Sequence, residues 1–265
     1  MRLALAQLDA RLGHLAGNGA RVRETIAAAG AAGADLVVFP ELYLSGYSLH
    51  AVEHDTARPA EDVAALAADG PAAVVGFHEH GRHNSAAYVE AGAVLHVHRK
   101  LYIVDYAPFH EHELFRPGTE LRAFDTRLAR LAVLVCNDAW QPFLPFIAVR
   151  DGARVLLVPS ASSTAVPDVD EYWRELTRFY ARMLQCYVVF ANRVGVEGEL
   201  TFWGGSHVVG PRGELVVDAP HDAEALVFAD VDLDRVEARR RELPLLGEPR
   251  LDLLRSELDR LARKL

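Results

Sequence analysis

Three ionisable side chains stand at the ends of apolar runs: Glu41 closes DLVVFPE (35–41), Lys100 closes VLHVHRK (94–100) and Cys136 closes LARLAVLVC (128–136). A carboxylate, an ammonium and a thiol at three strand ends are the parts of a hydrolase that works through a covalent intermediate. Taken alone, Cys136 has a plain reading as core, because cysteine is among the most buried residue types. Glu41 changes that reading. A carboxylate directly after Pro40, at the end of a doubly buried strand, needs a partner or a pKa raised by desolvation. Either condition suits a general base near neutral pH, whereas the plain alternative is a surface glutamate in a loop. Lys100 means little by itself, since a strand-end lysine normally sits in solvent. Near Cys136 it would favour the thiolate and stabilise an oxyanion.

The elements that carry these residues follow one grammar. GADLVVFPE (33–41) and GARVLLVPS (152–160) each begin with a glycine suited to ending a helix and continue as β-branched or Leu residues. Continuous apolarity means a strand covered on both faces, and both runs stop at a proline, which cannot donate to a sheet ladder. Other strands are expected at 2–8, 72–77, 85–90, 93–98, 129–135, 187–191, 206–210 and 225–231. Helices are expected at 18–32, 59–69, 142–151, 171–186 and 250–264, and Pro211-Arg212-Gly213 reads as a hairpin turn. The last helix carries Leu254, Leu258, Leu261 and Leu265 as an apolar stripe, which must dock on its own domain or on a second subunit.

Composition narrows the function class. The 265 residues are 51% hydrophobic and 25% charged, ordinary for a protein with a sizeable core, and no linker or repeat divides them. A formal charge of −9 argues against a nucleic-acid surface, which needs clustered Lys and Arg. The run Arg239-Arg240-Arg241 is diluted by Glu237 and Glu242 and reads as a solvated helix face. Two cysteines make no disulfide framework, and Cys186, in the apolar RMLQCYVVF, reads as core. With no signal peptide at MRLALAQLDARLG and no apolar run near the ~20 residues of a membrane span, the expected location is the cytoplasm.

Six of the twelve histidines cluster as FHEH (77–80), HVH (96–98) and FHEHE (109–113), the raw material of a metallohydrolase. None of the helix-borne zinc motifs is present, and a His-x-His strand pair is common without metal, so the expectation is no metal and no cofactor. His110 and His112 are placed at a pocket mouth. A binding protein that kept the fold but lost catalysis would lack the nucleophile, and all three reactive residues are here.

At this point the chain resembles the nitrilase superfamily of carbon–nitrogen hydrolases nearly end to end. The glutamate motif stands as FPELYLSGY, the lysine motif as HRKLYI and the cysteine motif as VCNDAWQP. Between them lie Gly17, Asn18 and Arg21 of the first helix, HEHELFRPG (110–118), PSAS (159–162), FANRVG (190–195) and FWGGSHVVGPRGE (202–214). The chain departs from the family pattern at Asn137, where many members have Tyr or Glu, and at Met183, where many have an acid. WQP after the cysteine motif and LYIVDY after Lys100 lean toward glutaminase-like and aliphatic amidase-like relatives.

The resemblance implies an α/β fold, an αββα sandwich of two mixed sheets with outer helices, formed by one domain over 1–265. It implies a nucleophile at Cys136, a general base and acid at Glu41, a stabilising Lys100, and a second glutamate at Glu111 or else Glu113. The oxyanion would meet Lys100 and the backbone N–H of Asn137. As motif neighbours, Tyr47, Tyr106, His112, Trp140, Ser160, Ala161 and Trp203 are candidates for the pocket. The expected reaction is hydrolysis of a small linear amide to acid and ammonia through a thioester, with a nitrile or an N-carbamoyl compound as alternatives at the same site. The expected partners are that small-molecule substrate and a second copy of the chain, a homodimer in which the helix over 250–264 docks at the interface.

Overall fold

The computed structural model describes residues 1–247 and 250–264. The chain opens with β1 (Arg2–Gln7), α1 (Leu15–Ala31), β2 (Leu36–Val38), α2 (Ala60–Leu66), β3 (Ala72–Glu79), β4 (His83–Glu90) and β5 (Ala93–Arg99). These strands form a six-stranded sheet with β14 (Ala225–Asp230) at its edge, in the order β14-β1-β2-β3-β4-β5. Its centre, β1 to β3, is parallel, and its flanks are antiparallel.

A short α3 (Glu111–Leu114) leads to the second sheet, built from β6 (Phe124–Asp125), β7 (Arg130–Val133), β8 (Val155–Ser160), β9 (Tyr187–Asn192), β12 (His207–Val209) and β13 (Leu215–Asp218). Strands β7, β8 and β9 are again a parallel centre. The helices α4 (Phe143–Arg150) and α5 (Val169–Leu184) connect them, and a separate hairpin pairs β10 (Val194–Glu197) with β11 (Leu200–Trp203).

The period-2 alternation of a strand explains why these runs are apolar throughout. Leu3, Leu5, Leu36 and Val38 face Leu131, Val133, Val155, Leu157 and Val189 in a core between the two sheets. Their neighbours Ala4, Ala6, Val37 and Phe39 pack on Val22, Ile26 and Val63 of α1 and α2. Ala132, Leu156 and Val158 pack in the same way on Ala148, Trp173 and Ala181 of α4 and α5. The result is four layers, helix, sheet, sheet, helix, as expected.

Some expectations are corrected. The strand over 35–41 closes at Val38 and the strand over 129–135 at Val133, although the Phe39 and Leu134 N–H groups still donate to Val74 and Leu157 carbonyls at 2.8 and 2.9 Å. Each chain thus leaves its sheet within three residues of the reactive side chain. The β10–β11 hairpin and α6 (Asp234–Glu242) add elements that the apolar periodicity did not mark. The three arginines of α6 are not a plain solvated face: Arg240 reaches inward to the carbonyls of Gln185 and Ala153, both at 3.3 Å. The last helix, α7, spans Leu251–Ala262 and buries none of its residues, so its stripe is not docked on this chain. Leu265 of that stripe lies outside the described residues.

Candidate active site

Glu41, Lys100 and Cys136 arrive from three different strand ends, after β2, β5 and β7. Two close approaches let them meet. Gly76 of β3 lies under the Glu41 turn, where a Cβ would stand 2.3 Å from the Pro40 carbonyl oxygen and 2.5 Å from the Leu42 nitrogen. Gly118 donates its N–H to the Lys100 carbonyl at 2.8 Å, and a Cβ there would stand 2.4 Å from the Arg99 oxygen. Leu42 and Cys136 hold left-handed φ values of 51° and 45°, a conformation that costs a side-chain-bearing residue of order 1–3 kcal/mol. Both strained residues sit at turns that deliver a reactive group.

The charged groups saturate one another. Lys100 Nζ donates to Glu41 Oε1 and to Glu111 Oε1, both at 2.7 Å. Glu41 Oε1 also accepts from Asn84 Nδ2 at 2.7 Å, and Glu41 Oε2 from the Ala161 N–H at 2.9 Å. Glu111 Oε1 accepts from the Tyr47 hydroxyl at 2.5 Å, and Oε2 from the Val104 N–H at 3.0 Å. Glu41, Lys100 and Glu111 are 1%, 1% and 2% exposed, so each ion depends on these bonds rather than on water. Glu113, the weaker choice for the second glutamate, is on the surface opposite His110.

Burial by itself pulls the Lys100 ammonium down, but Glu111 and Glu41 outweigh it and hold the group well above the usual lysine range. Burial raises the Glu111 carboxyl against the opposing pull of Lys100. The Cys136 thiol is pushed well above its ordinary value, first by burial and then by Glu41, with Lys100 opposing. Lys100 thus pulls toward the thiolate, as expected, but burial and Glu41 outweigh it. The ammonium is shared between two carboxylates, which weakens its pull on the sulfur.

A fourth acid, unmarked by the sequence reading, fixes two of the arms together. Asp138 is fully buried. Its Oδ1 accepts the Leu101 and Tyr102 N–H groups at 2.9 Å, and its Oδ2 accepts Val135 N–H at 3.0 Å and His98 Nε2 at 2.8 Å. The Lys100 turn and the Cys136 turn are therefore tied to one carboxylate. A second unmarked device is Glu197 on the β10–β11 hairpin. It accepts the Tyr47 and Ser48 N–H groups at 3.0 and 2.6 Å and pairs with the buried Arg193 at 2.7 Å. The only available signals were Asp138's place beside the nucleophile and Arg193's place in FANRVG.

A cavity of about 30 Å³ opens on Cys136 and is bounded by Tyr47, Tyr106, Asn137, Trp140 and Ala161 among the expected pocket residues. Phe109, Val104, Ser162, Val166 and Val169 complete much of its wall and were missed: Val166 and Val169 belong to no motif, Val104 lies inside LYIVDY, and Phe109 and Ser162 lie at the ends of FHEHE and PSAS. Three expected pocket residues fall elsewhere. His112 is half-exposed and paired with Asp105. Ser160 is fully buried inside β8. Trp203 packs on Phe190 in the core with its ring centroid 5.8 Å away.

The histidines have other work. His96 stacks on Phe124 at 4.2 Å with its pKa lowered to about 4 by burial, and His207 bonds Thr177 at 2.9 Å. Among the described residues no three His, Cys, Asp or Glu side chains gather as a metal-holding group. Among the same residues no helix is long and apolar enough to cross a membrane.

This arrangement has counterparts in known proteins. The family model described as carbon–nitrogen hydrolase matches residues 2–241. The chain is 30% identical over 271 residues to the glutamine-dependent NAD(+) synthetase of Thermotoga maritima, covering 94% of this chain but 46% of that protein, so it spans about half the length of that relative. It is 29% identical over 263 residues to the N-carbamoylputrescine amidase of Arabidopsis thaliana, covering 89% of this chain and 88% of the relative. Its fold matches the crystal structure of a carbon–nitrogen hydrolase from Helicobacter pylori G27 with a TM-score of 0.86 and 27% identity, over 97% of this chain and 98% of the other. A mutant amidase from Nesterenkonia sp. AN1, with the acetamide moiety of fluoroacetamide on its active-site cysteine, matches with a TM-score of 0.81 and 27% identity, over 97% and 96% of the two chains. Four layers, two mixed sheets and a model match across nine-tenths of the sequence lead to one conclusion: the chain belongs to the carbon–nitrogen hydrolases of the nitrilase superfamily.

Proposed function

We propose that this enzyme hydrolyses a small linear amide to its carboxylic acid and ammonia through a thioester on Cys136. The observation that carries the reading is the saturated set of Glu41, Lys100 and Glu111 around a thiol that opens on a small cavity. As the sulfur attacks the amide carbon, its proton passes to Glu41, so the net charge of the cluster does not change during the attack. The carbonyl electron pair moves onto oxygen. That oxyanion meets the third N–H of Lys100 and the backbone N–H of Asn137 at the start of the one-turn helix Cys136–Trp140.

Glu41 then returns the proton to the nitrogen as the C–N bond breaks, and ammonia leaves. In the second half Glu41 takes a proton from water, the hydroxide adds to the thioester, and the C–S bond breaks. The sulfur recovers the proton and the acid departs. Glu111 touches the ammonium at 2.7 Å and keeps Lys100 charged and aimed. No step calls for a metal or an organic cofactor.

A second reading, hydrolysis of an N-carbamoyl compound, is favoured by the Arabidopsis relative, whose match covers 89% of this chain. It would release carbon dioxide along with ammonia. We further propose a homodimer built on the apolar outer faces of α4 and α5, where Phe143, Ile147, Tyr172, Phe179 and Met183 are all exposed, with the leucines of α7 alongside. A reducing cytoplasm suits a mechanism that needs Cys136 as a free thiol.

The test is ammonia release from a panel of amides, N-carbamoyl compounds and nitriles, with intact-mass detection of an acyl adduct. Wild type should release ammonia from amides and show the adduct. Cys136→Ala should lose at least about 10⁴-fold in turnover while keeping its melting temperature, as expected for removal of a nucleophile. Ammonia release that survives the substitution would overturn the scheme.

A further inference from the structure

The charges at the Cys136 cavity are already committed. Glu111 is its one ionised wall residue among the described residues, and both its oxygens are occupied, by Lys100, Tyr47 and Val104. Behind it, Glu41 is filled by Asn84, Lys100 and Ala161. The one N–H left on Lys100 is needed by the substrate's own carbonyl oxygen. A substrate ammonium entering here finds no uncommitted anion, and a substrate carboxylate finds no cation.

The rest of the wall offers an acyl chain mostly carbon, from Val104, Phe109, Trp140, Val166 and Val169. Ser162 and Ser163 offer only neutral hydroxyls, which already accept the Trp173 indole N–H at 2.8 Å and the Ala165 N–H at 3.2 Å. A charged end on a chain too short to reach the solvent mouth beside the exposed Tyr106 could escape only into a neighbouring space. The cavity of about 330 Å³ nearby shares Tyr47 and Glu111 with the Cys136 cavity, and those two are bonded to each other at 2.5 Å, so the shared wall is a closed contact. The Cys136 cavity is much the smaller of the two, about 30 Å³ against about 330 Å³, which favours a short chain.

We infer that the site takes a short amide with an uncharged acyl chain and turns away amides of the same length that end in an ammonium or a carboxylate. The inference rests on the amidase reading above. It separates this chain from relatives whose names specify charged molecules, since N-carbamoylputrescine carries an ammonium and glutamine carries both charges.

Three amides of equal length test it on the full-length protein at neutral pH: butanamide, 3-aminopropanamide and malonamate. Butanamide should exceed each charged analogue in kcat/KM by about 100-fold, because an unpaired charge must leave water for a wall that cannot solvate it. Comparable rates for either charged amide, with Cys136→Ala silent, would overturn the inference and leave the amidase reading standing. Silence from all three with no acyl adduct on Cys136 would overturn both. A gain-of-function variant addresses the cause. Val166 is half-buried on the cavity wall, and Val166→Lys should raise the malonamate-to-butanamide ratio about tenfold. A melting temperature like that of the wild type reports that this variant is folded, and an unchanged ratio would remove the wall's missing charge as the reason for selectivity.

Discussion

Two regions of this molecule invert the usual placement of side chains, and they do so in opposite senses. At the site, Lys100, Glu41 and Glu111 are at most 2% exposed, whereas on α7 Leu254 and Leu258 are 43% and 56% exposed. The buried ions are complete. Each oxygen of both carboxylates has a donor within 3.0 Å, and two of the three ammonium N–H groups are used. The α7 leucines are incomplete, with no buried residue in the helix. An inverted polarity that closes on itself suits chemistry, and the one left open is where the proposed second copy would dock.

The largest effect should come from opening the closed set. Lys100→Met removes the cation that two buried carboxylates share and leaves them facing each other. Stripping one partner from a buried ion pair costs about 3–5 kcal/mol, so the melting temperature should fall by many degrees. Turnover should fall by about 10³-fold, the scale of a lost oxyanion donor. Thermal melting and ammonia release measure the two losses separately. A variant that keeps its melting temperature would show that the set is not held together by its charges.

Next comes the tie between the two turns. Asp138→Asn keeps one acceptor for the Leu101 and Tyr102 N–H groups but puts an amide nitrogen, a donor, where Oδ2 accepts from Val135 and His98. Displacement of the Cys136 turn by a fraction of an ångström is expected to lower kcat by about 10²-fold. KM should move little, because Asp138 does not line the cavity. Equal losses in kcat and in stability alone, with a normal pH profile and normal alkylation of Cys136, would reduce Asp138 to a fold residue.

The pH profile probes the sign of the thiol shift. Burial and Glu41 raise the Cys136 pKa, so the protonated form persists above the ordinary thiol value near about 8.5. Alkylation of Cys136 by a small neutral reagent should therefore show no inflection between about pH 7 and pH 9, where a free thiol in solution gains reactivity. A tenfold rise across that window would mean that the thiolate is already available and that Lys100 outweighs both carboxylates.

How much of this was legible in the sequence depends on the range of the interaction. The strands were readable because both faces of Leu3–Ala6, Val37–Phe39 and Val155–Val158 are buried, which forces unbroken apolar runs. Glu41, Lys100 and Cys136 were readable because each ends such a run. Asp138 and Glu197 were not, since their partners are backbone N–H groups supplied by turns 36 to 37 and 149 to 150 residues away. Proximity in sequence also misplaced Ser160 and Trp203. Ser160 sits one residue before Ala161, whose N–H holds Glu41, but strand alternation turns its side chain away from the cavity. The balance at the thiol was not readable either, because it depends on how deeply the fold buries the sulfur and on Glu41 beside it.

The smallest effect on catalysis should come from the open region. Replacing Leu254 and Leu258 by Ser removes two exposed leucines from α7. If a second copy covers them, each contributes about 1.5–3 kcal/mol to association, so the pair is enough to shift a dimer toward monomer at micromolar protein. Light scattering should record that fall in mass. The kcat per chain should stay within about twofold, because every group that touches the reacting atoms comes from one chain. If activity falls in step with mass, the partner supplies part of the site, and the contrast between a closed cluster and an open helix is wrong. If mass stays at that of a dimer, the faces of α4 and α5, with Phe143, Ile147, Phe179 and Met183 exposed, suffice to hold the two copies, and the α7 leucines are no part of the interface.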